Sequence, residues 1–286
     1  MRFMKNISLW LLLVTLSFST PVFSQEIFHN IISQQSSSVV YDTDYQAVLT
    51  QATSLGYTLP DASNRTTQNQ MVVDLKAAGI WTKLDVFYPM LTNIDFATLN
   101  WKAPTLFQLT LVNSPTYNTS TGFQGNGTTS YLSTNWAPND GVQFTRNDAG
   151  MGGLNTNDLN SASALFGSLG ASAAAGAYLQ PRSTNSLFAR LNQNTSTSVA
   201  NAASNGRYHI KRTGATATNW YKNGSSLITG SVASTAVNAL DVAILAINND
   251  GVITSLSTRQ IRYFWAGASL NGLEATFDGI LATYYP

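Results

Sequence analysis

Hydrophobic positions along this chain first follow a helical rhythm and then a strand rhythm. From Asp42 to Leu55, the residues Tyr45, Val48, Leu49, Ala52 and Leu55 recur at three- and four-residue spacing, and Gly56 follows as a stop. Pro60 and Asp61 form a turn. A second such run, Thr66 to Ala78, places Met71, Val72, Leu75 and Ala78 on one face and ends at Gly79. The spacing predicts a helical pair, each helix closed by a glycine that adopts the left-handed conformation without a Cβ clash. Ile80 to Leu91 is apolar but short and reads as a brief helix or turn that docks the pair. Asn93 to Ala103 reads as a connector.

Near Pro104 the period falls to two. Phe107, Leu109 and Leu111 alternate with Gln108, Thr110 and Val112. Similar short alternations surround Val142–Phe144, Leu187–Leu191, Tyr208–Lys211 and Thr218–Lys222. Leu240–Ile247 is apolar on both faces except for Asp241 and reads as a central strand covered on both sides. Ile261–Trp265 reads as the last strand. Gly125-Asn126-Gly127, Asn139-Asp140-Gly141, Lys222-Asn223-Gly224 and Asn249-Asp250-Gly251 punctuate these runs as tight-turn signals. Many short strands separated by turns predict a β-sandwich. A helix from about Gly272 to Tyr284 closes the chain. Its apolar face holds Leu273, Phe277, Ile280, Leu281 and Tyr284, and Asn271 and Glu274 are spaced as in a capping box.

The first residues change the picture of where the protein works. Arg2 and Lys5 precede an apolar run, Ile7–Phe18, then Pro21 and small residues at Val22 and Ser24. That pattern predicts a signal peptide over 1–24, cleaved before Gln25, and the run is shorter than the ~20 residues of a membrane span. No later segment is long and apolar enough to span. Residues 25–41 read as a flexible leader, 42–91 as a helical segment and 104–286 as the sandwich. Without residues 1–24 the chain holds 13 basic and 14 acidic residues, a balance that argues against a nucleic-acid surface. Only 10% of all residues are charged, against ~25% in an average chain. The surface is built instead from Asn, Thr, Ser and Gly, which suits sugar contacts or packing against copies of the same chain.

Gly122-Phe123-Gln124-Gly125-Asn126-Gly127-Thr128-Thr129-Ser130-Tyr131-Leu132 resembles the opening strand segment of concanavalin A-like lectin/glucanase domains and the related laminin-G-like modules. Ile261 to Leu270, with Glu274 and Tyr284 beyond, resembles the final strand and helix of such modules. Leu75 to Asp85 resembles a segment that precedes them in secreted bacterial and phage particle proteins. The resemblance spans residues 71–286. It implies a concanavalin A-like jelly-roll sandwich preceded by a helical hairpin and closed by a C-terminal helix. The motifs mark strands, turns and packing aromatics and carry no chemistry; the fold hosts lectins, glycanases, adhesion modules and particle subunits alike.

Candidate chemistry is sparse. Glycanases of this fold place carboxylates on one strand face, within reach of both sides of a glycosidic bond. Beyond the signal peptide this chain has two glutamates, Glu26 in the leader and Glu274 at a helix start, and Asp42 and Asp44 precede the first helix. His29 lies in the leader. His209, between Arg207 and Lys211, reads as a surface strand residue, and with Arg212 these form a solvated basic face. Two histidines and no cysteine argue against zinc. The residues imply no cofactor; Asn139, Asp140 and Asp148 leave calcium open, but Asn139-Asp140-Gly141 reads first as a simple turn. Trp101, Trp136, Trp220 and Trp265, with Tyr131 and Tyr221, are the aromatic candidates; Trp220 and Trp265 read as core. Trp136, in a polar loop, reads either as a sugar-stacking residue assisted by Asn135, Asn139 and Asp140 or as a cover for the core edge. The leading expectation is an exported, non-catalytic, lectin-like domain that binds a neutral glycan or cell-surface polysaccharide or acts in surface adhesion. The alternatives are a self-assembling subunit of an extracellular or phage-like particle and a glycan hydrolase.

Overall fold

The computed structural model describes residues 39–171 and 175–285. The expected signal peptide over 1–24, most of the leader, and with it Glu26 and His29, lie outside the described residues. The helical pair forms as α1 (Thr43–Ser54) and α2 (Ala62–Ala77). Asp42 caps α1 through the Asp44 amide, and Asp61 caps α2 through the Asn64 amide at 2.8 Å. Gly56 and Gly79 follow the helices at φ of 72° and 69°.

The strand rhythm becomes two sheets. The strands are β1 (Leu84–Pro89), β2 (Thr110–Val112), β3 (Thr116–Asn118), β4 (Gly122–Gln124), β5 (Tyr131–Ser133), β6 (Ala149–Asn155) and β7 (Phe166–Leu169). There follow β8 (Gly176–Ser183), β9 (Ser186–Leu191), β10 (Thr197–Ala200), β11 (Gly206–Arg212), β12 (Ala217–Lys222) and β13 (Ser225–Ser231). The last are β14 (Ala243–Ile244), β15 (Ile247–Asn249), β16 (Val252–Thr254) and β17 (Gln260–Gly267), before α3 (Glu274–Tyr284). One sheet runs β13-β12-β11-β6-β17-β4-β3, with β1 also paired to β17. The other runs β10-β9-β8-β7-β14-β5-β2, with β15 and β16 attached. Tyr88, Phe123, Trp136, Phe166, Trp220 and Phe264 fill the space between them. A second core lies on the outer face of the first sheet, where Tyr45, Met71, Trp101, Trp265, Phe277 and Leu281 bring the helices onto the strands. The expected β-sandwich with helices before and after it is therefore the fold.

Several local expectations are corrected. Ile80–Leu91 is neither helix nor docking turn. After a single 3-10 turn at Trp81–Lys83 it becomes β1, antiparallel to β17 with Phe87 opposite Trp265. Apolar residues on both faces of the strand reflect its burial: Val86 and Tyr88 enter the inter-sheet core, and Leu84 and Phe87 enter the helical one. Val142–Phe144 forms no strand, because its three amides bond the Asp85 carboxylate at 2.7–2.9 Å instead of a neighbouring strand. Leu240–Ile247 is buried and central, between β5 and β7, but its regular part is Ala243–Ile244 and Leu245 ends it at φ 66°. Phe107 has φ 56°, so β2 begins later than expected. Asn223-Gly224 and Asp250-Gly251 do close hairpins. Asn139-Asp140-Gly141 instead belongs to a 3-10 turn, Pro138–Asp140.

The basic face of β11 is not solvated. His209 is buried, with Nε2 2.7 Å from Asp278 Oδ1, and Lys211 Nζ lies 2.8 Å from Glu274 Oε1. Geometry explains the match. Glu274 and Asp278 are four residues apart on α3, about 6 Å, while Lys211 and His209 are two apart on β11, about 6.7 Å. Gly150 and Gly152 on β6 make room beneath the helix, since a Cβ at either would come within 2.7 Å and 2.3 Å of the Trp265 indole. Asn271 makes no side-chain cap; Glu274 reaches back instead to the Gly272 amide at 3.0 Å.

Candidate binding cavities beside the helical layer

The loop singled out in the sequence is not a sugar platform. Trp136 is fully buried in the inter-sheet core, edge-on to Phe144 with ring centroids 5.8 Å apart. The cause is local. Asn135 takes a left-handed conformation at φ 51°, and the backbone on either side of it is stitched to Val242, through Thr134 N to Val242 O and Val242 N to Trp136 O. This turns the indole inward. Asn135 donates to Gln108 O and Thr110 Oγ1. Asp140 accepts from the Ala137 amide, and the Asn139 amide donates to Asn238 O. These polar groups hold a lid over the core, so Trp136 covers the core and presents no ring face on which a sugar could stack. Asp148 accepts from the Ser269 amide, away from the amide that occupies Asp140. Among the described residues, no three His, Cys, Asp or Glu side chains gather as metal ligands. Burial, with the Asp140 carboxylate nearby, holds Asp241 above the usual carboxylate range. That proximity across 101 residues was invisible in the sequence. Trp101, Trp220 and Trp265 are also buried.

Concave surface lies elsewhere, where the helices meet the edge of the first sheet. A cavity of about 450 Å³ opens between α2, the segment after β1, the β3–β4 turn and the end of α3. Asp61, Asn64, Thr67, Gln68 and Met71 line it from α2 and its cap, at spacings that put them on one side of the helix. Leu91 supplies apolar wall, with the buried Met71 behind it. Asn64, Thr67, Thr119 and Arg262 supply polar groups. Gln68 is a buried polar residue beside the apolar stripe of α2. It accepts from the Tyr45 hydroxyl at 2.7 Å and donates to Thr92 Oγ1 at 2.6 Å. Thr92 lies in the cavity wall at φ 74°, a conformation unusual for a β-branched side chain and costing roughly 1–3 kcal/mol. The Gln68 bond holds it there. The hydrogen bonds from the Asn64 amide and side chain keep the Asp61 carboxyl below its usual range, so it is ionised at the rim at neutral pH.

A second cavity, about 460 Å³, adjoins it. Its walls include Asn155, Asn205, Arg207, Arg262 and Tyr285. Arg207 donates to Tyr285 O at 2.7 Å, and the Arg262 guanidinium sits 5.3 Å from the Tyr285 ring centroid. Asn155 is buried and donates to Asn157 O and Ser204 O, but its Oδ1 has no hydrogen-bond partner among the described residues. Sequence reading missed both cavities. The one available signal was Gln68, a polar residue three positions before Met71 in an otherwise apolar stripe.

Solved β-sandwich structures resemble this fold at a distance. The receptor-binding domain of botulinum neurotoxin C/D mosaic serotype superposes with a TM-score of 0.50 at 12% identity, covering 70% of this chain and 52% of that one. The binding domain of botulinum neurotoxin serotype D gives 0.50 at 13%, covering 71% and 52%. The CBM40 of Ruminococcus gnavus IT-sialidase, bound to α2,3-sialyllactose, gives 0.38 at 12%, covering 46% and 83%. The chain spans about half the length of the toxin structures that it matches. No family model matches the chain, and no curated protein does.

Proposed function

We propose that this chain is an exported, non-catalytic lectin-like domain that binds a neutral glycan or cell-surface polysaccharide, in an adhesive role, through the cavity between α2 and the sandwich edge. The observation that carries this reading is the composition of that cavity. Its partly exposed apolar wall at Leu91 suits the C–H face of a sugar ring, while Asn64, Thr67, Thr119 and the Asp61 carboxylate sit at the rim as partners for ring hydroxyls. The toxin structures of similar architecture are described as binding and receptor-binding domains, which supports a binding role for the scaffold. A glycan array probed with the purified domain tests the proposal. Thr67→Trp fills the cavity from an exposed helix position and should lower glycan affinity at least tenfold while the melting temperature stays within about 2–4 °C of the parent, the shift of a ~1 kcal/mol change. Binding to no glycan, or unchanged binding by Thr67→Trp, would overturn it.

A further inference from the structure

We infer that the two cavities are neighbouring subsites for one oligosaccharide, which crosses the Arg262 side chain and places at least one sugar unit on each side. The inference rests on the glycan reading above and adds the length and path of the ligand. The partition between the cavities is thin and shared. Arg262 lines both; Thr119 and Ser120, consecutive in the β3–β4 turn, line one each; so do Tyr284 and Tyr285 at the end of α3. Consecutive Cα atoms are ~3.8 Å apart, so the dividing wall is about one residue thick. The cavities have nearly equal volumes, about 450 and 460 Å³, each within the ~300–1,000 Å³ range of small-ligand sites.

Their chemistries are complementary. The α2 side offers a carboxylate, an amide and hydroxyls over an apolar wall. The other side offers the guanidinium of Arg207 and the amides of Asn205 and Asn223, groups that read hydroxyl substituents. The Arg262 guanidinium lies between the two, 5.3 Å from the Tyr285 ring centroid, so a chain laid across it meets a planar cationic group at the junction of two units.

Calorimetry with cello-, xylo-, chito- and galacturonate oligosaccharides of one to six units tests this. Expected is an affinity that rises at least tenfold between one unit and three in whichever series binds. Asn205→Trp, at an exposed position of the second cavity, should flatten that rise and leave the shortest ligand bound as before. Ser120→Tyr, from the opposite wall, should do the same and guards against a folding defect in the first variant. Thr67→Trp should weaken every length. Length-independent affinity, or a length dependence that survives both Asn205→Trp and Ser120→Tyr, would overturn the two-subsite inference while leaving glycan binding intact. Absence of binding at every length in all series would instead remove the glycan reading, and the subsites with it.

Discussion

Trp136 and Arg212 both lie in the interior, and neither position is announced by its neighbours in the chain. Trp136 sits among Asn, Thr, Ser and Asp, a composition that fits an exposed loop. Burial is decided by one left-handed residue, Asn135, and by pairing to Val242 more than a hundred residues away. Trp136→Ala is therefore expected to cost roughly 3–5 kcal/mol, read from the urea midpoint. A change below ~1 kcal/mol would mean that the indole is dispensable to the core. Arg212 ends the strand that was read as solvated. Its guanidinium is buried and donates to the carbonyls of Leu191, Gly214, Ala215 and Val232 and to the Gln193 side chain. It ties three loops at one end of the sandwich. Arg212→Lys keeps the charge but loses the planar fork, so carbonyls are left without donors; about 2–4 kcal/mol should be lost in the same measurement. Such roles depend on what surrounds a side chain in space, which residue type alone does not report.

At the scale of elements, periodicity served well where burial was one-sided and poorly where it was two-sided. The three helices each bury one stripe, and their spacing was legible. β1 is buried on both faces and was indistinguishable from a short apolar helix. The docking of α3 was hidden for a different reason: it depends on Glu274 and Asp278 meeting Lys211 and His209 from a distant strand. Asp278→Ala leaves His209 buried without its partner and should destabilise by about 3 kcal/mol. Replacing both, as His209→Leu with Asp278→Leu, should recover most of that loss, because two apolar side chains need no partner there. Equal destabilisation of single and double variants would show that the pair is not what seats the helix. Acid should loosen two further joints. Asn64 at the α2 cap, and Ser204 with Arg182 around Asp158, hold Asp61 and Asp158 below the usual carboxylate range. Carboxyls held low in the folded state stabilise it above their unfolded pKa and cease to do so as pH falls through the folded value. The stability that Asp61 and Asp158 contribute should therefore be constant above pH ~4 and decline below it. Urea midpoints that do not fall between pH 4 and pH 2 would contradict this.

For the whole molecule, the sandwich and its helical appendages were legible because turn residues and strand alternation recur along most of the chain. The cavities were not, because α2, the segment after β1, the β3–β4 turn, β17 and α3 each contribute only one to five residues to them. No local pattern encodes such a junction. The position of β17 has a consequence for how the chain acquires its shape. β17 is the last strand, yet it lies inside the first sheet, between β6 on one side and β1 and β4 on the other. During synthesis from the amino end, β6 and the β3–β4 pair emerge long before the strand that joins them. Until Gly267 is out, the sheet exists as separate fragments with unpaired edges, and neither the inter-sheet core nor the helical core can close. The long sequence separation of these pairings makes spontaneous refolding slow, in the millisecond-to-second range or beyond. A chain cut after Arg259 should show no cooperative unfolding transition at all. Until β17 is made, the two parts of this sheet present unpaired edges on which strands of other chains can add.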